Sequence, residues 1–110
     1  MKVAVIGSHT FRDYELLKEI LKHVYISQLI TGEAEGADQL AKKYASEKDI
    51  PLQVVQPDEL RSSHPRTFQI IDRANLIIAF WDGKSQGTCD LIKYAQKLNK
   101  PLKIECFKPN

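Results

Sequence analysis

Two stretches of the chain are apolar at every position: Val3-Ala4-Val5-Ile6 and Leu76-Ile77-Ile78-Ala79-Phe80-Trp81. Side chains alternate across a β-strand, so an unbroken apolar run means that both faces of the strand are covered. A parallel sheet held between two layers of helix covers its strands in this way. Neither run approaches the roughly 20 residues of a membrane-spanning helix.

Three more runs have the length of strands: Gln28 to Thr31, Leu52 to Val55 and Leu102 to Cys106. The segments between them have helical period. Leu16, Leu17, Ile20, Leu21 and Val24 mark one helical face, with Asp13 as its N-cap. Leu40, Ala41, Tyr44 and Ala45 mark a second, and Leu91, Ile92, Ala95 and Leu98 mark the last. Phe68, Ile71 and Ala74 mark a shorter helix that Pro65 can open at its first turn. Pro51 and Pro101 stand just before strands and are expected to end the helices that precede them. The order β-α-β-α-β-α-β-α-β, with right-handed crossovers, predicts a Rossmann-like α/β fold. It is a doubly wound, open, parallel sheet of five strands in the order 3-2-1-4-5, with helices on both faces. A length of 110 residues suits one domain spanning 1–110. Pro57 to His64 reads as a loop over the edge of the sheet.

Composition narrows the setting. A formal net charge of +2 is too small to mark a nucleic-acid or membrane binder. Cys89 and Cys106 have neither CxxC spacing nor neighbouring histidines, so they are expected to be reduced and structural, in a cytoplasmic protein. The apolar N-terminal stretch is too short for a signal peptide and reads as a strand.

Three of the four strand-to-helix turns carry glycine: Gly7-Ser8-His9-Thr10-Phe11, Gly32-Glu33-Ala34-Glu35-Gly36-Ala37-Asp38, and Asp82-Gly83-Lys84-Ser85-Gln86-Gly87-Thr88. With strands 2, 1 and 4 adjacent, these turns converge at the carboxyl edge, where open α/β sheets bind ligands. Glycine permits close backbone approach, and helix N-termini offer unpaired N–H groups to anions. Two familiar motifs are excluded. Gly83-Lys84-Ser85 would end a P-loop only with glycine five residues earlier, and position 78 is Ile. Gly7 is followed by Ser, His, Thr and Phe, which breaks the dinucleotide fingerprint.

Together the turns resemble the small YspA/YpsA-related branch of the SLOG superfamily. The resemblance is carried by Val5-Ile6-Gly7-Ser8 with Phe11, by Thr31-Gly32 with Gly36-Ala37-Asp38, and by Ala79-Phe80-Trp81-Asp82-Gly83-Lys84-Ser85 with Gly87-Thr88. Arg66 matches a basic position of that branch, and the likeness runs from residue 3 to about residue 103. It implies binding of a nucleotide or nucleotide-derived small molecule. Relatives include phosphoribohydrolases and DNA-processing proteins that bind single strands. Many small members are regarded as sensors or as components of phage and defence systems. This chain has His9 where relatives usually have Arg, Glu33 and Glu35 where they have Gly and Arg, and Thr67 where Asn is common. The catalytic Glu of the hydrolase relatives falls on Leu91, and Asp90 lies about 100° away around a helix. A sensor-type binding domain is therefore expected, with a nucleotide hydrolase as the alternative and a DNA-processing or interaction protein as the second.

The expected roles follow from side-chain chemistry. Gly87 and Thr88 would seat a phosphate at the start of the last helix, or Thr88 would serve as its N-cap. Asp38 would accept from a ribose, brace its loop or offset the helix dipole. Arg66 would grip a phosphate with its planar fork, or be salt-bridged or solvated. His9 would donate to a phosphate, or be a plain loop histidine. Phe11 and Trp81 would wall the pocket or belong to the core. Ser8, Gly32, Glu33, Ala37, Asp82, Gly83, Lys84 and Ser85 complete the candidate set. At this edge Arg12, Arg66 and Lys84 face Asp13, Glu33, Glu35, Asp38, Asp82 and Asp90, a local balance of −3 that leaves +5 for the remainder of the chain. An acidic edge predicts a ligand with few phosphates, or a divalent cation bound with it. It argues against nucleic acid, and self-association stays open.

Overall fold

The computed structural model describes residues 1–55 and 66–108, apart from the side chains of Arg66 and Thr67. The expected loop from Pro57 to His64, and Pro65 as the opener of the third helix, lie outside the described residues. The elements are β1 (Lys2–Gly7), α1 (Tyr14–Leu21), β2 (Gln28–Thr31), α2 (Ala37–Glu47), β3 (Leu52–Val54), α3 (Arg66–Arg73), β4 (Leu76–Trp81), α4 (Gln86–Lys97) and β5 (Leu102–Cys106). All strand pairs are parallel, in the order β3-β2-β1-β4-β5. The Rossmann-like α/β fold is the one that the alternating runs predict.

The unbroken apolar runs are explained by two cores, one on each face of the sheet. Val3, Val5, Ile78 and Phe80 point into the core that Leu17 and Leu21 of α1 and Ala41 and Tyr44 of α2 complete. Ala4, Ile6, Ile77 and Ala79 point the other way, toward Ile70 and Ile71 of α3 and Leu91, Ile92 and Ala95 of α4. Register holds the strands together: Val5 lies beside Ile78 and Ile6 beside Ala79. No described helix is long and apolar enough to cross a membrane.

Asp13 caps α1 as expected, its carboxylate accepting from the Leu16 N–H at 3.0 Å. The prolines do not end α2 and α4. Both helices stop at a residue in the left-handed region, Asp49 (φ 54°) and Asn99 (φ 58°). The next N–H closes each turn, Ile50 onto the Ala45 carbonyl at 2.9 Å and Lys100 onto the Ala95 carbonyl at 3.0 Å. This is a Schellman closure, complete before Pro51 or Pro101 is reached.

Candidate functional site

The carboxyl ends of β1, β2 and β4 meet at one edge, and the turns that leave them are packed on one another. Gly7 lies so close to α2 and β4 that a Cβ there would sit 2.6 Å from the Ala37 Cβ and 2.7 Å from the Phe80 carbonyl oxygen. Gly36 has φ +82°, and a Cβ would run onto the Ser8 carbonyl oxygen. These two glycines let the β2–α2 turn lie directly against the β1–α1 turn. Over Gly32, a Cβ would meet the Asp38 Oδ2 at 2.9 Å and the Ile70 Cδ1 at 3.2 Å, so its bareness gives the carboxylate room.

The β4–α4 turn is braced from within. The Asp82 Oδ1 accepts from the N–H groups of Lys84 (2.8 Å) and Ser85 (2.7 Å), and its Oδ2 from the Thr10 hydroxyl (3.3 Å). Those bonds, the two backbone ones foremost, hold its carboxyl below the usual carboxylate range. The Asp82 N–H donates to the buried Ser8 Oγ at 3.2 Å, and the Trp81 indole donates to the Ser85 carbonyl at 3.0 Å. The start of α4 is thus positioned by a fixed turn. Ser85, not Thr88, is the N-cap of α4, and its side chain makes no capping bond. Its hydroxyl lies 3.3 Å from that of Thr88, which sits inside the first turn. Helix geometry leaves the N–H groups of Gln86, Gly87 and Thr88 without carbonyl partners in their own helix.

Between these turns lies a cavity of about 210 Å³. Ile6 and Gly7 line it from the end of β1, His9 from the β1–α1 turn, Ala34 from the β2–α2 turn, Asp38 from the first turn of α2, and Ile70 from α3. Ser85, Gly87, Thr88 and Leu91 of α4 close it. Asp38 is 6 % exposed and accepts from the Ala34 N–H at 3.1 Å. Burial outweighs that bond and pushes its carboxyl above the ordinary value.

Six of the sequence candidates line this cavity: Gly7, His9, Asp38, Ser85, Gly87 and Thr88. Others serve the framework. Phe11 is outside the lining of this cavity; it is fully buried, stacked on Phe80 with ring centroids 4.5 Å apart and edge-on to Phe107 at 4.9 Å. Ala37 is core, Ser8 and Asp82 tie turns together, and Gly32 and Gly36 are packing positions. Glu33, Gly83 and Lys84 are exposed and outside the cavity lining. The Arg66 side chain lies outside the described residues. Ile6, Ala34, Ile70 and Leu91 are the lining residues that the sequence reading left out of the candidate set. Of the six edge acids, only Asp38 lines the cavity. Among the described residues no three of His, Cys, Asp and Glu stand together as a metal site.

A search of curated proteins finds no match. A scan of protein families matches the YspA, cpYpsA-related SLOG family over residues 1–61. The matched part runs from β1 through β3 and contains Gly7, Ser8 and the entire β2–α2 turn. That match covers more than half of the 110 residues, and the chain belongs to the YspA, cpYpsA-related SLOG family.

Proposed function

We propose that the chain is a sensor-type binding domain for a nucleotide or nucleotide-derived small molecule, seated in the carboxyl-edge cavity. The observation that carries this reading is the cavity's two-sided chemistry. Its floor is apolar, from Ile6, Ile70 and Leu91, and its rim is the open first turn of α4 with the Thr88 hydroxyl. A base suits the first, and the N–H groups and dipole of a helix start suit a phosphate. The volume lies below the roughly 300–1,000 Å³ of pockets that enclose a whole drug-sized ligand. One unit of a nucleotide fits inside and the rest lies along the edge. Leu91 supports binding without turnover, because the position that carries the acid in hydrolase relatives is here a cavity wall of hydrocarbon.

Calorimetric titration with mono-, di- and triphosphates and ADP-ribose, each with magnesium and with EDTA, tests the reading. Ligands with one or two phosphates are expected to bind in EDTA. Absence of binding by every ligand at millimolar concentration overturns the proposal, and a tight triphosphate in EDTA overturns the preference for few phosphates.

Asp38 supports a second reading, hydrolysis of an N-glycosidic or phosphate bond. A buried carboxyl whose pKa is raised inside a cavity is a group that can hold and deliver a proton. Release of free base or phosphate from nucleoside monophosphates, abolished by Asp38→Asn, would establish it.

A further inference from the structure

The sheet has two edges, and they differ. β3 is three residues long and follows Pro51, so it offers little to another strand. β5 is five residues long and exposed along much of its length. The Ile77 N–H donates to the Pro101 carbonyl at 2.9 Å, and the Phe107 N–H to the Trp81 carbonyl at 3.0 Å. In a parallel ladder the residues facing the neighbour alternate with those facing away. Positions 101, 103, 105 and 107 therefore face β4, and the N–H and C=O groups of Leu102, Ile104 and Cys106 point out of the open edge.

We propose that this edge pairs antiparallel with β5 of a second copy of the chain, centred on Ile104, to make one continuous sheet of ten strands. In that register Ile104 opposes its own copy, and Leu102 opposes Cys106 of the other chain. Both are hydrogen-bonded pairs, and both use only outward-pointing groups. Lys103 then opposes Glu105 of the other chain in the non-hydrogen-bonded positions, where Cα atoms approach to about 4.5 Å and side chains meet most closely.

Charge fixes the register. Lys103 lies beside Ile78 and Glu105 beside Phe80, so both project from the same face of the sheet. Within one chain they already form a pair at 3.6 Å. A two-fold axis midway between the two Ile104 residues, normal to the sheet, keeps that face common to both copies and creates two Lys103–Glu105 pairs across the axis. Moving the centre by one residue sets Lys103 against Lys103, or Glu105 against Glu105. Ile104, 38 % exposed in the single chain, is covered by its own copy. The occupant is thus a second copy, because the edge is complementary to itself in one register and repulsive in its neighbours. The two cavities would face opposite ends of the joined sheet, so the pairing is independent of any ligand.

Sedimentation equilibrium from micromolar to millimolar concentration tests it. The native chain is expected to dimerise reversibly. Lys103→Glu alone and Glu105→Lys alone each place like charges opposite and should weaken the dimer at least tenfold. An equimolar mixture of the two single variants, and the double variant Lys103→Glu/Glu105→Lys by itself, should associate like the native chain. Should either single variant fail to fold, an equimolar mixture of Lys103→Cys and Glu105→Cys, each in a Cys106→Ser background, supplies the second measurement. Their thiols oppose each other across the axis at the closely spaced non-hydrogen-bonded positions and should join as an intermolecular disulfide under glutathione disulfide. A native chain monomeric at every concentration, single charge variants that dimerise unchanged, a charge-variant mixture that stays monomeric, or Lys103→Cys and Glu105→Cys thiols that do not join would each overturn the proposal.

Discussion

Replacing Gly87 with alanine separates packing from binding, because the two should move in opposite directions. Gly87 is in the first turn of α4, its φ is not in the left-handed region, and a Cβ there would have no neighbour within 4 Å. The fold therefore has no need of glycine at this position. Alanine removes conformational freedom from the unfolded chain and should stabilise by about 0.4–1 kcal/mol. In a domain of this size that is a rise in Tm of about 2–6 °C. The added methyl occupies the rim of the cavity, next to the N–H groups proposed to hold a phosphate. Losing one charge-assisted hydrogen bond costs about 1.5–3 kcal/mol, which is roughly tenfold or more in affinity. Thermal unfolding and calorimetric titration of the same variant read both effects. Gly7→Ala is the contrast. With its Cβ at 2.6 Å from one neighbour and 2.7 Å from a carbonyl oxygen, it should destabilise by about 1–3 kcal/mol. If Gly87→Ala lowered the Tm, the open space around it would be misjudged. If it raised the Tm and left nucleotide affinity unchanged, the phosphate would not sit at the start of α4.

Asp38→Asn should alter how stability depends on pH. Burial keeps the Asp38 proton on, so above the ordinary carboxylate pKa the folded chain holds a proton that the unfolded chain has released. The contribution of Asp38 is therefore intact below that ordinary value and is lost as pH rises through the raised one. Asparagine, which still accepts from Ala34, should remove this decline in urea unfolding followed from pH 4 to 8; an unchanged slope would mean that Asp38 ionises freely. At the helix ends, Asp49→Gly and Asn99→Gly should each add up to about 1 kcal/mol in denaturant unfolding by relieving positive φ, whereas alanine should lower stability. Phe11→Leu should cost about 1–2 kcal/mol through lost packing against Phe80 and Phe107, yet leave nucleotide affinity intact while the chain is folded. A selective loss of affinity would return Phe11 to the binding site.

What was legible in the chain depended on whether a pattern has one physical cause or several. The runs at Val3 and Leu76 have one cause, burial on both faces, and a parallel sheet between two helical layers followed from them. Helix ends have several. Pro51 and Pro101 are conspicuous, but Asp49 and Asn99 close the helices through backbone bonds that leave no signature beyond one tolerant residue. Glycine has several causes as well. Gly7 and Gly36 permit turn-on-turn packing, Gly32 leaves room for a carboxylate, and Gly87 lines open space. Spacing alone could not sort them, because each demand is set by a chain segment distant in sequence.

The lining residues absent from the sequence reading share a reason. Ile6, Ile70 and Leu91 belong to the core beneath α3 and α4, and each lies on an apolar stripe that continues toward the carboxyl edge. On sequence such residues are indistinguishable from the buried positions before them. At the edge the sheet ends, the turns part, and the same stripe becomes the floor of a cavity. The cavity is therefore an extension of the core that the β1, β2 and β4 turns leave uncovered, and its apolar character follows from the fold. Specificity must then come from what the turns add at the rim: the Asp38 carboxyl on one side and the first turn of α4 on the other. A carboxyl that can both donate and accept, set with a row of N–H donors, discriminates by the order of polar groups along a ligand. Substitutions on the floor should accordingly change affinity for all ligands together, whereas those at the rim should change which ligand is preferred.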